Sequence, residues 1–277
     1  MIINNATGIG IIGQNRQNQG ALSKIFEKLS TGKRINRASD DASMLSIARE
    51  LEKQVRGFRQ TEVNMDDALS ALRISDGGAS QITDMLQRQR ELAIQANNGT
   101  NGQEQRDALN TEFQALSSEI DRISQSTQFN RQSLLDGQSD LSDGTGEITA
   151  GTGTAEADRI NMPQADLRAE TLNISNLDIS NPSNISSALQ GIDSALNQVN
   201  QTRTNAGAAY NRFEYSISNS VNQRINTAAA LSQAEDLDYA EGTAEQARAS
   251  ILSQSNMMAL QNFNNISRNN ILGLLNS

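Results

Sequence analysis

Apolar residues recur along this chain at alternating steps of three and four, the spacing that lines them up on one face of a helix. Leu22, Ile25, Phe26 and Leu29 form the first stripe, and Ser30-Thr31-Gly32 breaks it. A second helix is predicted to begin near Asp40 and Asp41, whose carboxylates suit a helix N-terminus. Its seam runs through Ala48, Leu51, Val55, Phe58, Met65, Leu69 and Leu72, with Glu62 the one polar member. Gly77-Gly78 is expected to weaken or end that helix. A further stripe follows through Ile82, Met85, Leu86, Leu92 and Ala93, and Asn97-Asn98-Gly99 reads as a stop. Another helix is predicted over Gln103 to Gln125, with Leu109, Phe113, Leu116, Ile120 and Ile123 on one side.

The pattern changes over 136–182. Gly, Ser, Thr and Asp dominate 136–155 and predict turns, while Ile148, Ile160, Leu172, Ile174, Leu177 and Ile179 are candidates to seed short strands or hairpins. Asn181-Pro182-Ser183 then opens the longest periodic segment, with Pro in the first turn and Asn181 or Ser183 as the cap. Its seam is Ile185, Leu189, Ile192, Leu196, Val199, Arg203, Ala206, Tyr210, Phe213 and Ile217, interrupted only by Arg203. That is heptad spacing, and a helix from Asn184 to Ala234 would be roughly 75 Å long. Such a rod calls for a long partner, so the expected fold is mainly α: an elongated antiparallel helical bundle or coiled coil, a small β-hairpin region, and paired N- and C-terminal helices. After a break near Asp236–Asp238, a last helix from about Glu241 carries Ala244, Ala247, Ile251, Met258 and Ile266 and ends in Leu272, Leu274 and Leu275.

Charge sharpens this picture. Before Lys24 the only charged side chain is Arg16, and after Arg248 the only one is Arg268. Protein ends are normally polar and often frayed. Two apolar-striped, nearly uncharged ends look like surfaces meant for burial, against the plainer alternative of packing on their own domain. Aromatics make up only 3% of the 277 residues, which suits thin Leu/Ile/Ala seams better than one thick core.

Composition also narrows the chemistry. The chain has no His and no Cys, hence no imidazole base, thiol nucleophile, disulfide framework or ordinary zinc site. No Ser stands beside a plausible base, so an enzyme is not expected, nor is a cofactor. A net charge of −9 argues against nucleic acid as the main partner. No segment reads as membrane-inserting, and Met1 to Gly13 lacks the basic start of a cleaved leader. Three short motifs are set aside. Gly8-x-Gly10-x-x-Gly13 lacks the surrounding βαβ pattern of a dinucleotide site and reads as flexible backbone near a terminus. Asp236-x-Asp238 lacks the Gly and carboxylate ladder of a calcium loop. Arg88, Arg90 and Glu91 read as a solvated charged face.

Several strings, in order, carry a resemblance. STGKRINRASDDAS (Ser30 to Ser43), LQRQRELAIQANNGT (Leu86 to Thr100), EIDRIS (Glu119 to Ser124) and TQFNRQSLLDG (Thr127 to Gly137) are similar to the N-terminal half of bacterial flagellins. AEDLDYAE (Ala234 to Glu241) and the terminal ILGLLNS resemble the C-terminal half. The likeness covers roughly 1–137 and 184–277. Met44 departs from it, standing where the family usually has Gly, and the middle is too short for the outer domains that many relatives insert.

The resemblance implies a structural subunit that polymerises into the extracellular flagellar filament for motility, with a hook–filament junction protein as the alternative. Residues 1–39 and 236–277 would form the inner-tube polymerisation domain, and 40–235 a rod-shaped domain. The expected polymerisation residues are Leu22, Ile25, Phe26, Leu29, Ile251, Met258, Ile266, Leu272 and Leu275. Other copies of the chain, an export chaperone, cap and hook-associated proteins would be its partners, and secretion would proceed without leader cleavage. The family segment recognised by an innate immune Toll-like receptor falls on Gln89, Arg90, Glu91, Leu92 and Gln95.

Overall fold

The computed structural model describes residues 2–137, 147–149, 159–163 and 165–275. Five helices occur among them: α1 Ile2–Thr31, α2 Ala42–Ala96, α3 Gln103–Ser126, α4 Pro182–Glu235 and α5 Tyr239–Leu275. The chain is mainly α, as the periodicity predicts. Four short strands form two antiparallel hairpins, β1 Gln128–Phe129 with β2 Gln132–Ser133, and β3 Glu147–Thr149 with β4 Arg159–Asn161. The second hairpin sets Ile148 against Ile160, two of the residues expected to seed strands. Predicted turns over 138–146 and 150–158 lie outside the described residues.

Helix boundaries follow local chemistry. Asp41 Oδ1 accepts the Met44 amide (2.9 Å), Asn181 Oδ1 the Ser183 amide (3.0 Å), and Asp238 Oδ1 the Ala240 amide (2.8 Å). Each satisfies a backbone donor that the first turn leaves without a helical partner. Gly32, at φ 69°, supplies the left-handed residue that stops α1.

Two compact units divide the chain. The first comprises Met1–Lys53 and Asn226–Ser277. In it the strap after α1 runs antiparallel to the end of α4. The Arg34 amide donates to the Glu235 carbonyl (2.7 Å), the Leu237 amide to the Gly32 carbonyl (2.9 Å), and Lys33 Nζ to the buried Glu235 carboxylate (2.7 Å). Ile35 and Ala234 are buried beside this strap.

The second unit, Gln54–Ile225, holds the apolar core. One row of the α4 seam, Ile185, Ile192, Val199, Ala206 and Phe213, is buried throughout, while the other row, including Leu189, Leu196 and Tyr210, is half-buried. They meet Met65, Leu69, Leu72, Ile82, Leu86 and Leu92 of α2 and Phe113, Ile120 and Ile123 of α3 in one cluster. The two polar interruptions foreseen in the seams are both answered. Arg203 Nε donates to Asp76 Oδ1 and Arg224 Nε to Glu62 Oε1, each at 2.8 Å.

Three expectations are corrected. Gly77-Gly78 does not break α2, which runs through both. Gly78 is the floor on which the first hairpin rests: a Cβ there would stand 2.8 Å from Leu135 Cδ1 and from Thr127 Oγ1. Burial of Ala79, Ile82 and Leu86 offsets the helix penalty of about 1 kcal/mol per glycine. Second, Leu172, Ile174, Leu177 and Ile179 lie in turns and irregular chain and form no strand, with Asn173 at φ 57° in the left-handed region. Third, Gly8, Gly10 and Gly13 lie inside α1 rather than in flexible backbone.

Candidate functional site: the terminal helix pair

Within the first unit, α1 and α5 run side by side over most of their length. The register is set by two tight contacts. Phe263 covers Gly8, where a Cβ would lie 2.8 Å from the ring, and Leu29 covers Gly242, where it would lie 3.1 Å from Leu29 Cδ2. Tyr239 Oη donates to the Leu29 carbonyl (3.0 Å) and ties the α5 start to the α1 end.

The half-buried residues of α1 are Ile11, Asn15, Asn18, Leu22, Ile25, Leu29 and their neighbours Glu27 and Lys28. On α5 they include Gln246, Ala249, Ser253, Asn256, Leu260, Phe263 and Ser267. Steps of three and four make this a single coiled-coil seam. Its composition is unusual, because Asn, Gln and Ser occupy much of it.

Many large apolar side chains, most of them on α5, stay outside it. Ile9 is 64% exposed, Ile251 63%, Met258 64% and Ile266 58%. Ile12, Phe26, Leu252, Met257 and Leu272 are exposed too. A helix pair designed for water would show the reverse arrangement, apolar in and polar out. Exposed apolar side chains in such number are a feature of interaction surfaces.

Of the residues expected in polymerisation, Leu22, Ile25 and Leu29 therefore face α5. Phe26, Ile251, Met258, Ile266 and Leu272 face away from it. Leu275 closes α5, and its side chain lies outside the described residues. The periodicity of α5 identified its outward face but could not say that the seam runs along the polar one.

The segment Gln89–Gln95 lies on α2 in the second unit. Gln89 and Leu92 are fully buried, with Gln89 Nε2 donating to the Phe113 carbonyl (3.1 Å) and Ser117 Oγ (2.7 Å) of α3. Arg90, Glu91 and Gln95 are exposed. Arg90 pairs with Asp193 of α4 (2.8 Å), and Arg88 bridges Glu91 and Glu112 (3.2 and 2.8 Å). The segment's exposed face is therefore a set of ion pairs joining three helices.

Nothing in the described residues resembles a reaction centre. No group of three His, Cys, Asp or Glu is placed to hold a metal ion among them. A cleft of about 290 Å³ is lined by Leu72, Arg73, Asp76, Arg203, Ala206, Gly207 and Tyr210, and its polar groups bind one another. No helix among the described residues is long and apolar enough to cross a membrane.

Comparison with known proteins agrees with this architecture. Residues 4–140 match the bacterial flagellin N-terminal helical region and residues 189–275 the bacterial flagellin C-terminal helical region. The chain is 39% identical to a flagellin of Halalkalibacterium halodurans over 89% of each chain, and 32% identical to a Bacillus subtilis flagellin over 99% of each. It is 34% identical to a flagellar filament core protein of Treponema maltophilum, covering 94% of this chain and 93% of that one. Among solved structures, Bacillus cereus flagellin superposes with a TM-score of 0.51 at 31% identity, covering 61% of this chain and 94% of that one. The two matched regions, the relatives that span nearly the whole chain and the paired terminal helices agree: the chain belongs to the bacterial flagellins, the structural subunits of the flagellar filament.

Proposed function

We propose that the chain polymerises by burying the outward apolar face of α1 and α5 against other copies. The exposed residues of the helix pair support this reading: Ile9, Ile251, Met258 and Ile266 point away from the α1–α5 seam. Each large side chain that leaves water contributes roughly 1.5–3 kcal/mol when fully buried. Fixing the terminal backbones opposes this by about 1–2 kcal/mol per residue, so neither helix orders cheaply alone. Contacts that join unlike patches and do not close a ring then build a helical filament. On this reading 1–39 and 236–277 serve as the inner-tube polymerisation domain and 40–235 as the rod-shaped domain. The stretch 138–183 is too short for a separate outer domain, so the subunit makes a filament with a thin surface.

Replacing Ile251 and Met258 together with Asp tests the apolar face. Sedimentation after salting-out should show almost no polymer, with helicity and the melting of the second unit unchanged. Polymer at the wild-type concentration threshold would sink the proposal.

By resemblance, the chain leaves the cell without leader cleavage and works with an export chaperone, a cap protein and hook-associated proteins. Recognition by a Toll-like receptor would use Arg90, Glu91 and Gln95, the exposed members of their string, with Gln89 and Leu92 fixing the helix from beneath. Monomer applied to receptor-bearing reporter cells should activate them, and Arg90→Ala/Glu91→Ala should lower the response severalfold. Equal activation by both proteins would remove these side chains from the contact.

A further inference from the structure

Asn15 and Asn256 are the polar centre of the α1–α5 seam. Asn15 lies one heptad beyond Gly8 and Asn256 one heptad before Phe263, and the same two residues lie two heptads from Leu29 and Gly242. Both fixed contacts therefore set Asn15 opposite Asn256. Within the seam the Asn15 Oδ1 acceptor and the Asn256 Nδ2 donor are both inaccessible to solvent, and neither has a hydrogen-bond partner. They are complementary, and a buried amide left unpaired is costly.

Coiled coils usually fix their register with charged pairs flanking the seam or with a polar residue inside it. The first route is confined to one end, where Lys24, Glu27 and Lys28 lie level with the Glu241–Arg248 stretch; along the rest of the pair Arg16 and Arg268 are the only charges. We propose that Asn15 and Asn256 are the register-determining residues of the terminal helix pair, closing an amide–amide hydrogen bond in one alignment only. A slip of one heptad in one direction sets Asn15 against Ala249 and Asn256 against Gly8. A slip in the other direction sets Asn15 against Phe263 and Asn256 against Leu22. Both slips leave two buried amides facing apolar groups. Gly8 under Phe263 and Gly242 under Leu29 hold the two ends of the pair, and between them Ile11, Leu22, Ala249 and Leu260 tolerate one another in any order, which leaves the middle to Asn15 and Asn256. Register matters because it decides which residues of the two helices lie level with one another along the pair. The inference concerns positioning within one subunit and stands on the α1–α5 pairing, independent of whether that face polymerises.

The chain has no cysteine, so introduced pairs report register directly. Ile11→Cys with Leu260→Cys reads the native alignment, and Ile11→Cys with Ser253→Cys or with Ser267→Cys reads the two slips. Full-length chains are oxidised as monomer and after salting-out, then run on denaturing gels, where a link within one copy stays at monomer mass. In the otherwise wild-type chain only the native pair should close. Asn15→Leu/Asn256→Leu should keep the helices paired while a slipped pair closes severalfold more often. Asn15→Asp/Asn256→Lys, a complementary pair, should restore the native link alone. Closure of slipped pairs in the wild-type background, no native link in either state, or an unchanged native link in the double-leucine chain would each overturn the proposal. Loss of polymer with register intact would instead count only against the assembly surface.

Discussion

A chain lacking 242–277 should form no polymer under conditions where the intact chain forms long filaments. The deletion removes nearly all of α5, and with it Ile251, Met258, Ile266 and Leu272 from the outward face. It also uncovers the α1 seam: Gly8 loses Phe263, Leu29 loses Gly242, and Leu22 and Ile25 are left in water. An isolated helix with that little apolar burial is marginal, so α1 should unfold as well. The second unit keeps its whole cluster and should keep its cooperative melt. Removing 1–35 should act the same way from the other side. Negative-stain images of both deletions beside the intact chain check this, with circular dichroism to confirm that the second unit remains folded. Filaments of ordinary length from either deletion would show that one terminal helix suffices.

Phe213→Ala should destabilise the second unit by about 3–5 kcal/mol, the cost of emptying a fully buried aromatic site. Phe213 continues the buried row of α4 and has no exposure. Tyr215 lies two residues away on the same helix and is 79% exposed, so Tyr215→Ala should change stability by no more than about 0.5 kcal/mol. Urea unfolding followed by circular dichroism gives both values, and a midpoint shift with an unchanged slope identifies a native-state cavity. Equal effects at the two positions would contradict the seam assignment.

Legibility followed the range of the forces involved. Caps at Asp41 and Asn181 and the heptad seam of α4 are set within a few residues, and they were readable as such. The flagellin strings identified the family for the same reason, since they lie on continuous segments. Features set by distant residues were not readable. Gly78 looks like a helix breaker until Leu135 and Thr127 are seen packed on it. The β1–β2 turn puts Asn130 and Arg131 at φ 51° and 68°, and Arg gives no signal for that left-handed conformation. Leu172 and Ile174 alternate like a strand, yet they are buried by turns packed onto the helical core.

The terminal helices show the limit most plainly. Their apolar residues were identified as surfaces for burial, and Ile251, Met258 and Ile266 do lie together on α5 away from the α1 seam. That the intramolecular seam is the polar one could not be read from periodicity, because both faces of α5 repeat at helical spacing. Likewise Gln89 matched the family string letter for letter, while the fold places its side chain beneath the surface.

The central claim is that the outward face of α1 and α5 is buried between copies, and a polymer map that resolves side chains tests it most directly. Ile251, Met258 and Ile266 should each lie within van der Waals contact of apolar side chains from a neighbouring copy, with Asn15 still opposite Asn256 inside each subunit. Those three side chains facing open solvent, with copies joined through the second unit alone, would contradict it.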